Sequence, residues 1–446
     1  MDVNLAELRA RVDGSPMSRA QWSAVAVCVL LNVVDGFDIM VMSFTAAAVS
    51  QEWSLSSSQL GLLLSAGLAG MAAGSLLLAP LADRVGRRTL ILACLVLAAA
   101  GMLGSALSRD AVQLGLLRVL TGLGTGGILA AGNVITAEYA NSRWRGLAVS
   151  LNVTGYAVGA GAGGVLAAAL QGGTGWRSVF AFGGVATALL VGAVLWRLPE
   201  SLDFLLTRRP PHALDRLNGL LRAMGRPGLE SLPGAPARRA SRIRLLLTPG
   251  LRRTTLLIWT GFLVAMSTFY FVSSWTPKLL VEAGLTAEQG IAWGVALNLG
   301  GVAGTLLLGL LAARFGIRRL LVVYTLAAAV PLAAFIPAVS LYGLSLALGV
   351  LIGVFVNGCV AALYTLALSA YPPEVRATGL GWGVGAGRIG SLASPLLAGG
   401  LLDAGWDVAR LYLAVAVVFT AGGLLAARAA GLPSGTPRSP HALQRR

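Results

Sequence analysis

Long apolar runs recur along almost the whole chain and constrain its fold more than any other feature. They extend from Trp22 to Arg428, and each can cross a hydrocarbon core, which takes roughly 20 residues of helix. Only 12% of the residues are charged, against about 25% in a soluble domain, so most of the chain cannot face water. The sequence therefore predicts an all-α membrane protein with twelve spans. These spans are expected at 22–46, 59–81, 89–107, 111–135, 146–170, 176–197, 254–281, 288–312, 319–338, 341–369, 377–402 and 407–428.

Basic residues are concentrated in the loops on one side of the spans. The arginines on that side are Arg9, Arg11, Arg19, Arg84, Arg87, Arg88, Arg143, Arg145, Arg314, Arg318, Arg319, Arg376, Arg438, Arg445 and Arg446. The other loops hold only Arg109, Arg177, Lys278 and Arg410. Because cytoplasmic loops carry the excess of basic residues, we expect both termini in the cytoplasm. The net charge of +16 has the same explanation, so nucleic acid is not expected as a partner.

One long hydrophilic segment divides the spans into six and six. A weak internal repeat supports this division, because Leu81-Ala-Asp-Arg-Val-Gly-Arg-Arg follows the second span and Leu311-Ala-Ala-Arg-Phe-Gly-Ile-Arg-Arg follows the eighth. Two related halves around a central cavity are a recurrent plan among transporters. The expected organisation is a cytoplasmic N-terminal segment at 1–21, a six-helix bundle at 22–197, a cytoplasmic central loop at 198–253, a second six-helix bundle at 254–428 and a cytoplasmic tail at 429–446.

Several short motifs resemble those of one transporter superfamily. Asp83-Arg-Val-Gly-Arg-Arg resembles the signature loop of the major facilitator superfamily, although Ala79 stands where that loop normally opens with glycine. Arg118 and the glycines after it resemble a second superfamily motif, and the pair Glu138 and Arg145 resembles its cytoplasmic charge pair.

Other motifs are similar to those of one family within it, the aromatic acid:proton symporters. They are Asp35-Gly-Phe-Asp38, Ser274-Trp-Thr-Pro277, Tyr371-Pro-Pro-Glu-Val-Arg-Ala-Thr-Gly and Gly387-Arg-Ile-Gly390. The resemblance implies two pseudo-symmetric six-helix bundles that import small aromatic carboxylates, of the benzoate or hydroxybenzoate type, with protons by alternating access. It also implies a monomer in the bacterial inner membrane, whose partners are the substrate, protons and the lipid bilayer. No cofactor is expected besides the coupling proton.

Asp35 and Asp38 are the candidates for proton coupling. A charge at mid-membrane costs about 2.5–3.5 kcal/mol even on a lenient scale, so two carboxylates in one span need a reason. Their spacing puts them on one helix face, where both can line one cavity. Burial and mutual repulsion favour the protonated form of at least one of them, and no predicted span contains a histidine. The alternative is a structural ion pair with an arginine.

Arg118 and Arg388 are expected near the same depth as the aspartates. In a core ~30 Å thick, Asp35 lies ~20 Å from the cytoplasmic side and Arg118 ~10 Å from the outer side, so their depths coincide. Arg118 would bind the substrate carboxylate, hold the aspartates ionised, or serve structure alone. Arg388 lies ~17 Å into its span, and no carboxylate of the second half lies at that depth. Its partner would be the substrate, backbone carbonyls or a first-half aspartate, and arginine suits bidentate binding of a carboxylate.

Two further groups of residues are candidates by position. The resemblance implies a conformational latch between the halves at the cytoplasmic face, formed by Asp83, Arg84, Arg87, Arg88, Glu138 and Arg145. The alternative for these charges is membrane topology alone. Aromatic and amide side chains within the spans would contact the ring and polar groups of the substrate. The substrate-binding candidates are Asn298, Asn357, Tyr270, Tyr364 and Trp275, with Phe269 and Tyr156 beside them; packing is the alternative for each.

Other functions fit the sequence less well. A membrane enzyme is not expected, because Cys28, Cys94 and Cys359 lie in separate spans without metal-binding spacing. Transport driven by ATP is not expected either, because the sequence has no phosphate-binding loop motif. Within transport, the alternatives are another organic anion, such as nicotinate or a short aliphatic acid, and export in place of uptake. A transporter-like sensor is a third class, although no signalling domain is attached.

Overall fold

The computed structural model describes residues 13–232, 243–372 and 375–429, and the regular structure in these ranges is helical. The helices are α1 (Arg19–Trp53), α2 (Ser57–Leu77), α3 (Ala79–Val85), α4 (Arg87–Ala106), α5 (Ala111–Tyr139), α6 (Arg145–Thr174), α7 (Trp176–Arg197), α8 (Leu202–Arg208), α9 (Ala213–Ala223), α10 (Ile243–Leu246), α11 (Arg252–Glu282), α12 (Ala287–Phe315), α13 (Ile317–Ala334), α14 (Tyr342–Ala370), α15 (Arg376–Asp403) and α16 (Val408–Ala427). The expected terminal arginines Arg9, Arg11, Arg438, Arg445 and Arg446 lie outside the described residues.

Twelve of these helices are long, and they match the twelve predicted spans in order. Eleven of them are long and apolar enough to cross a membrane. The exception is α15, which has 28 residues but contains two arginines and eight glycines that lower its mean hydropathy. The chain is therefore an all-helical, multi-pass membrane protein. The largest difference from the predicted bounds is in α1, which begins at Arg19 and continues to Trp53.

The second long helix of each half begins in the same way. Ser56 caps α2 and Thr286 caps α12, and in both cases a glutamine three residues later bonds back to the cap. Such a box satisfies main-chain N–H groups that have no partner inside the helix. Each of these helices is also followed by a glycine with positive φ before the next long helix, Gly86 (φ 101°) and Gly316 (φ 78°). Only glycine adopts such φ values at little cost, so the repeat in the sequence is also a repeat in the backbone.

The two faces of the helix bundle differ in charge. One face carries Arg19 at the start of α1, Arg88 at the start of α4 and Arg197 at the end of α7; we call it the arginine-rich face. The opposite face carries the start of α2 and the end of α15. The first six long helices form one half of the chain, and the six from α11 onwards form the other. The two halves meet mainly where α2 packs on α15, α6 on α12 and α1 on α11.

Segment 198–253, expected as a loop, contains three short helices in its described part, while residues 233–242 lie outside the described ranges. Helices α8 and α9 pack against the ends of the first six helices. Leu205, Leu217 and Leu221 are buried there in one apolar cluster with Tyr139. This part of the segment is thus attached to the first half.

Candidate functional site

Asp35 and Asp38 lie in the middle of α1 with their side chains turned into the protein. Their exposed fractions are 4% and 1%. Gly36 lies between them at the place where α1 crosses α6, and a Cβ atom at this position would overlap with the main-chain carbonyl of Tyr156. Close packing on this side turns the two carboxylates towards α2, α5 and the second half of the chain.

Asp38 shares a small cavity with Arg118. The cavity has a volume of about 20 Å³ and lies between α1, α2 and α5. A volume of ~10–15 Å³ is enough for one water molecule, but a benzoate ring does not fit. Neither carboxylate oxygen of Asp38 has a hydrogen-bond partner among the described residues. This site therefore has room for a proton and a water, and none for an organic anion.

Arg118 is buried beside Asp38, but it forms no ion pair with the carboxylate of that residue. Its Nη2 donates to the main-chain carbonyl of Asp38 at 2.6 Å. Its Nη1 lies 3.1 Å from Met102 Sδ, and its guanidinium lies 5.7 Å from the centre of the Phe180 ring. With an exposed fraction of 3%, Arg118 has no open surface for a substrate in this conformation. The expectation that it binds substrate directly is not supported by this geometry.

Arg388 lies on α15 at a second, more open part of the site. Its side chain is only partly buried, and it interacts electrostatically with Asp35 and with the hydroxyl groups of Tyr270, Tyr364 and Tyr156. Of the three kinds of partner considered for Arg388, the first-half aspartate Asp35 is thus the one that interacts with it. One positive group, one carboxyl group and three phenol rings from helices of both halves converge here.

Two of the three tyrosines are held in place by aromatic neighbours. Tyr270 packs edge-on against Phe269 with ring centres 5.3 Å apart, and Tyr364 packs edge-on against Phe262 at 5.2 Å. The Tyr156 hydroxyl is buried beside that of Tyr270, and it forms no hydrogen bond of regular geometry among the described residues. Since a buried hydroxyl without a partner is unfavourable, Tyr156 is suited to bond a polar group that enters the site.

The other predicted substrate contacts are placed differently. Asn298 and Asn357 each donate to a carbonyl four residues earlier in their own helices, at 2.9 and 3.3 Å, which leaves their amide oxygens free to accept. Trp275 is fully buried, and its Nε1 donates to the Pro395 carbonyl at 3.2 Å. Trp275 therefore joins α11 to α15 and does not face the site, because its ring fills the interface between these helices.

The charged residues at the arginine-rich face form a cluster, but the pairs differ from those expected. Glu138 forms its ion pair with Arg87 and not with Arg145. Arg145 instead bonds to Asp13 and to main-chain carbonyls at the end of α5. The position of Arg145 at the first turn of α6 turns it towards the start of the chain. Asp83 is largely exposed, 3.8 Å from Arg87, and Arg84 is exposed as well.

Residues after α7 complete this cluster, and they were not predicted from the sequence. Ser201 Oγ donates to Glu138 at 2.8 Å and accepts from Arg87 at 2.7 Å. Glu200 accepts from the main-chain N–H of Arg88 at 3.0 Å. Both residues lie in a hydrophilic segment, where no periodic pattern marks them. The only sequence signal is that acidic and hydroxyl groups follow directly after a span on the face where the arginines lie.

At the opposite face, the two halves are in close contact. Asp403, the last residue of α15, accepts from the main-chain N–H groups of Ser57 and Ser58 at 3.0 and 2.8 Å. A carboxylate at a helix N-terminus satisfies free N–H groups and is favoured by the helix dipole. Gly61 and Gly399 allow the backbones of α2 and α15 to approach. We call this contact between the start of α2 and the end of α15 the opposite-face seal; it was not predicted from the sequence.

Comparison with known proteins agrees with this architecture. The family model of the Major Facilitator Superfamily matches residues 28–304 and 287–445. The chain is 33% identical to the gallate transporter of Pseudomonas putida, over 90% of each chain. It is 30% identical to the 4-hydroxybenzoate transporter of the same organism, over 92% of this chain and 93% of that protein.

A solved structure agrees in fold. The inward-open xylose transporter of E. coli superposes with a TM-score of 0.72, at 18% identity, over 93% of this chain and 98% of that one. At this identity the likeness concerns the fold alone. The matches confirm the predicted fold, and they confirm that the chain belongs to a family of transporters and not of enzymes. The chain belongs to the major facilitator superfamily of transporters and is related to bacterial transporters of aromatic acids.

Proposed function

We propose that the protein imports a small aromatic carboxylate together with protons by alternating access. The observation that carries this proposal is the convergence of Asp35, Arg388 and the tyrosines between the two halves, next to a separate, smaller cavity at Asp38. The relatives that transport gallate and 4-hydroxybenzoate support the same class of substrate.

Arg388 is the proposed anchor for the substrate carboxylate. Its guanidinium offers two parallel N–H donors that match a carboxylate, and it is more accessible than Arg118. Tyr270 and Tyr364 provide rings against which an aromatic ring can stack or pack edge-on. The Tyr156 hydroxyl, which lies beside that of Tyr270, would bond a polar substituent of the ring, and Asn298 and Asn357 would accept from ring hydroxyl groups.

The coupling of proton and substrate follows from competition for Arg388. Asp35 is the carboxylate that interacts electrostatically with this arginine. An incoming carboxylate replaces it, and an ionised Asp35 would then lie buried beside a second negative charge. Since two close carboxylates cannot both stay ionised at low cost, substrate binding favours protonation of Asp35. Asp38, without a hydrogen-bond partner among the described residues, is the proposed second proton carrier.

We further propose that the arginine-rich face is cytoplasmic, with both termini on that side. The positive-inside rule supports this orientation. The opposite-face seal then closes the outer side, and the conformation is open to the cytoplasm. In the alternate state, Asp83, Arg84, Arg87, Arg88, Glu138 and Arg145 would close the cytoplasmic side as a latch between the two six-helix halves. The expected monomer is part of the same proposal.

Uptake into proteoliposomes tests the function. Vesicles with purified protein and an acidic exterior should accumulate radiolabelled 4-hydroxybenzoate or gallate above the level without a pH gradient. The matched amides should neither be transported nor compete, because they lack the charge that Arg388 binds. If the protein transported nicotinate or short aliphatic acids in place of benzoates, the proposed substrate class would be wrong. Accumulation only in the reverse direction would make the protein an exporter, and binding without transport would make it a sensor.

A further inference from the structure

A pocket of about 440 Å³ lies at the arginine-rich face, away from the central site. It is formed where α1 and α4 begin and α7 ends, with the last turn of α9 as a further wall. Its lining residues include three arginines, Arg19, Arg88 and Arg197, and no acidic residue. Ser23 and Tyr139 also lie in its wall.

The three arginines keep donors available. Nη2 of Arg88 donates to the Leu195 carbonyl at 2.6 Å, but its Nε is buried and has no hydrogen-bond partner among the described residues. The guanidinium carbon of Arg197 lies over the ring of Trp196, 4.1 Å from the ring centre. Arg19 is exposed. In the part of the chain that the structure describes, none of the three forms an ion pair. The acid nearest in sequence, Glu200, is bonded to main-chain N–H groups.

The walls of the pocket indicate the side from which a ligand enters. Trp196 and Leu195 end a membrane helix and are 78% and 54% exposed, so they face the bilayer at the level where tryptophan prefers the headgroup region. Helix α9 buries Leu217 and Leu221 against the bundle and places Leu220 and Met224 in the wall of the pocket. The pocket is therefore open towards lipid, and apolar side chains lie beside its charged groups.

We propose that this pocket binds the headgroup of an anionic phospholipid from the leaflet on the arginine-rich face. The phosphate would take the free donors of Arg19, Arg88 and Arg197, and the acyl chains would extend past Trp196 along α7. Basic pockets between membrane helices are suited to such headgroups. The phosphate would connect the start of α1 to α4 and α7. Helix α1 is also the helix whose middle carries the two aspartates.

Lipid titration of the purified protein tests this proposal. In mild detergent, dioctanoyl phosphatidylglycerol should bind at a saturable site measurable by native mass spectrometry, whereas dioctanoyl phosphatidylcholine and inorganic phosphate should bind far more weakly. Each arginine near an anionic headgroup contributes ~1 kcal/mol, which corresponds to about fivefold in affinity. The double variant Arg19→Gln/Arg197→Gln should therefore lose about 25-fold in phosphatidylglycerol affinity.

The control is Arg318→Gln, because Arg318 begins α13 at the position in the repeat that Arg88 occupies at the start of α4. This variant should bind phosphatidylglycerol like the parent, and both variants should melt at the parent's temperature in lipid-free detergent. A loss of about fivefold in Arg318→Gln, the same per removed arginine as in the double variant, would mean general charge attraction and would overturn the proposal. An unchanged affinity in the double variant would do so as well, and tight binding of inorganic phosphate alone would replace the lipid by a free anion. None of these results depends on transport.

Discussion

The opposite-face seal provides a test of alternating access, because one methyl group should open it. A Cβ atom on Gly61 would lie 2.6 Å from the carbonyl oxygen of Pro395, whereas ordinary contact begins at 3.4 Å. Gly61→Ala therefore requires α2 and α15 to separate by 3.4 − 2.6 = 0.8 Å at this point. Overpacking of this kind costs ~1–3 kcal/mol, and only the conformation with the seal closed bears this cost.

The cost should appear as a shift between the two facing states. Since 1.4 kcal/mol is one decade, ~1–3 kcal/mol shifts the equilibrium towards the state open at the opposite face by about 5- to 150-fold. The matched control is Gly400→Ala on α15, where an added Cβ meets nothing within 4 Å. Gly399→Ala, one residue earlier, would collide with the Ser57 carbonyl and should act like Gly61→Ala.

Distances between spin labels would measure the shift. Labels at Arg109→Cys and Trp406→Cys lie on loops of the two halves at the opposite face, and both positions are exposed. The native cysteines are buried and should stay unlabelled. Gly61→Ala should increase the population at long distance, and Gly400→Ala should match the parent. If the distance distribution of Gly61→Ala overlays that of Gly400→Ala, the contact of α2 with α15 does not control the facing state.

Three further predictions concern the proposed site and latch. Asp35→Asn and Asp38→Asn should each abolish uptake driven by a pH gradient in proteoliposomes while the protein still inserts and folds; uptake as steep in pH as the parent's in both variants would remove the aspartates from the mechanism. Arg388→Lys keeps the charge but loses the planar fork, so calorimetry should show weaker binding of the carboxylate. Arg118→Lys should change binding less and thermal stability more, because Arg118 bonds to the main chain of α1; the reverse order would reassign the two roles. Asp83→Asn should favour the state open at the arginine-rich face and should slow transport without changing substrate affinity. If distances between labels across that face equal those of the parent, these charges determine membrane topology only.

The sequence alone determined the class of the protein and the order of its helices. Apolar runs of membrane length leave a chain no other way to satisfy its main-chain hydrogen bonds, so the helices could be predicted in order, with ends uncertain by a few residues. The two aspartates stood out for the same reason, since a carboxylate within an apolar run is costly. The arginines at the ends of the runs indicated an orientation, which remains a prediction.

Only the tertiary structure decided which of these residues meet. Position along a helix could not give the direction of the Arg118 side chain. The structure turns it to a main-chain carbonyl, and Arg388, from the other half, is the arginine that interacts electrostatically with Asp35. Trp275 likewise has the right depth, yet faces α15. The seal at Asp403 joins residues about 345 positions apart, as its bond to Ser58 shows. Helix rotation and the pairing of helices depend on packing between distant segments, and a pattern local to one segment does not contain them.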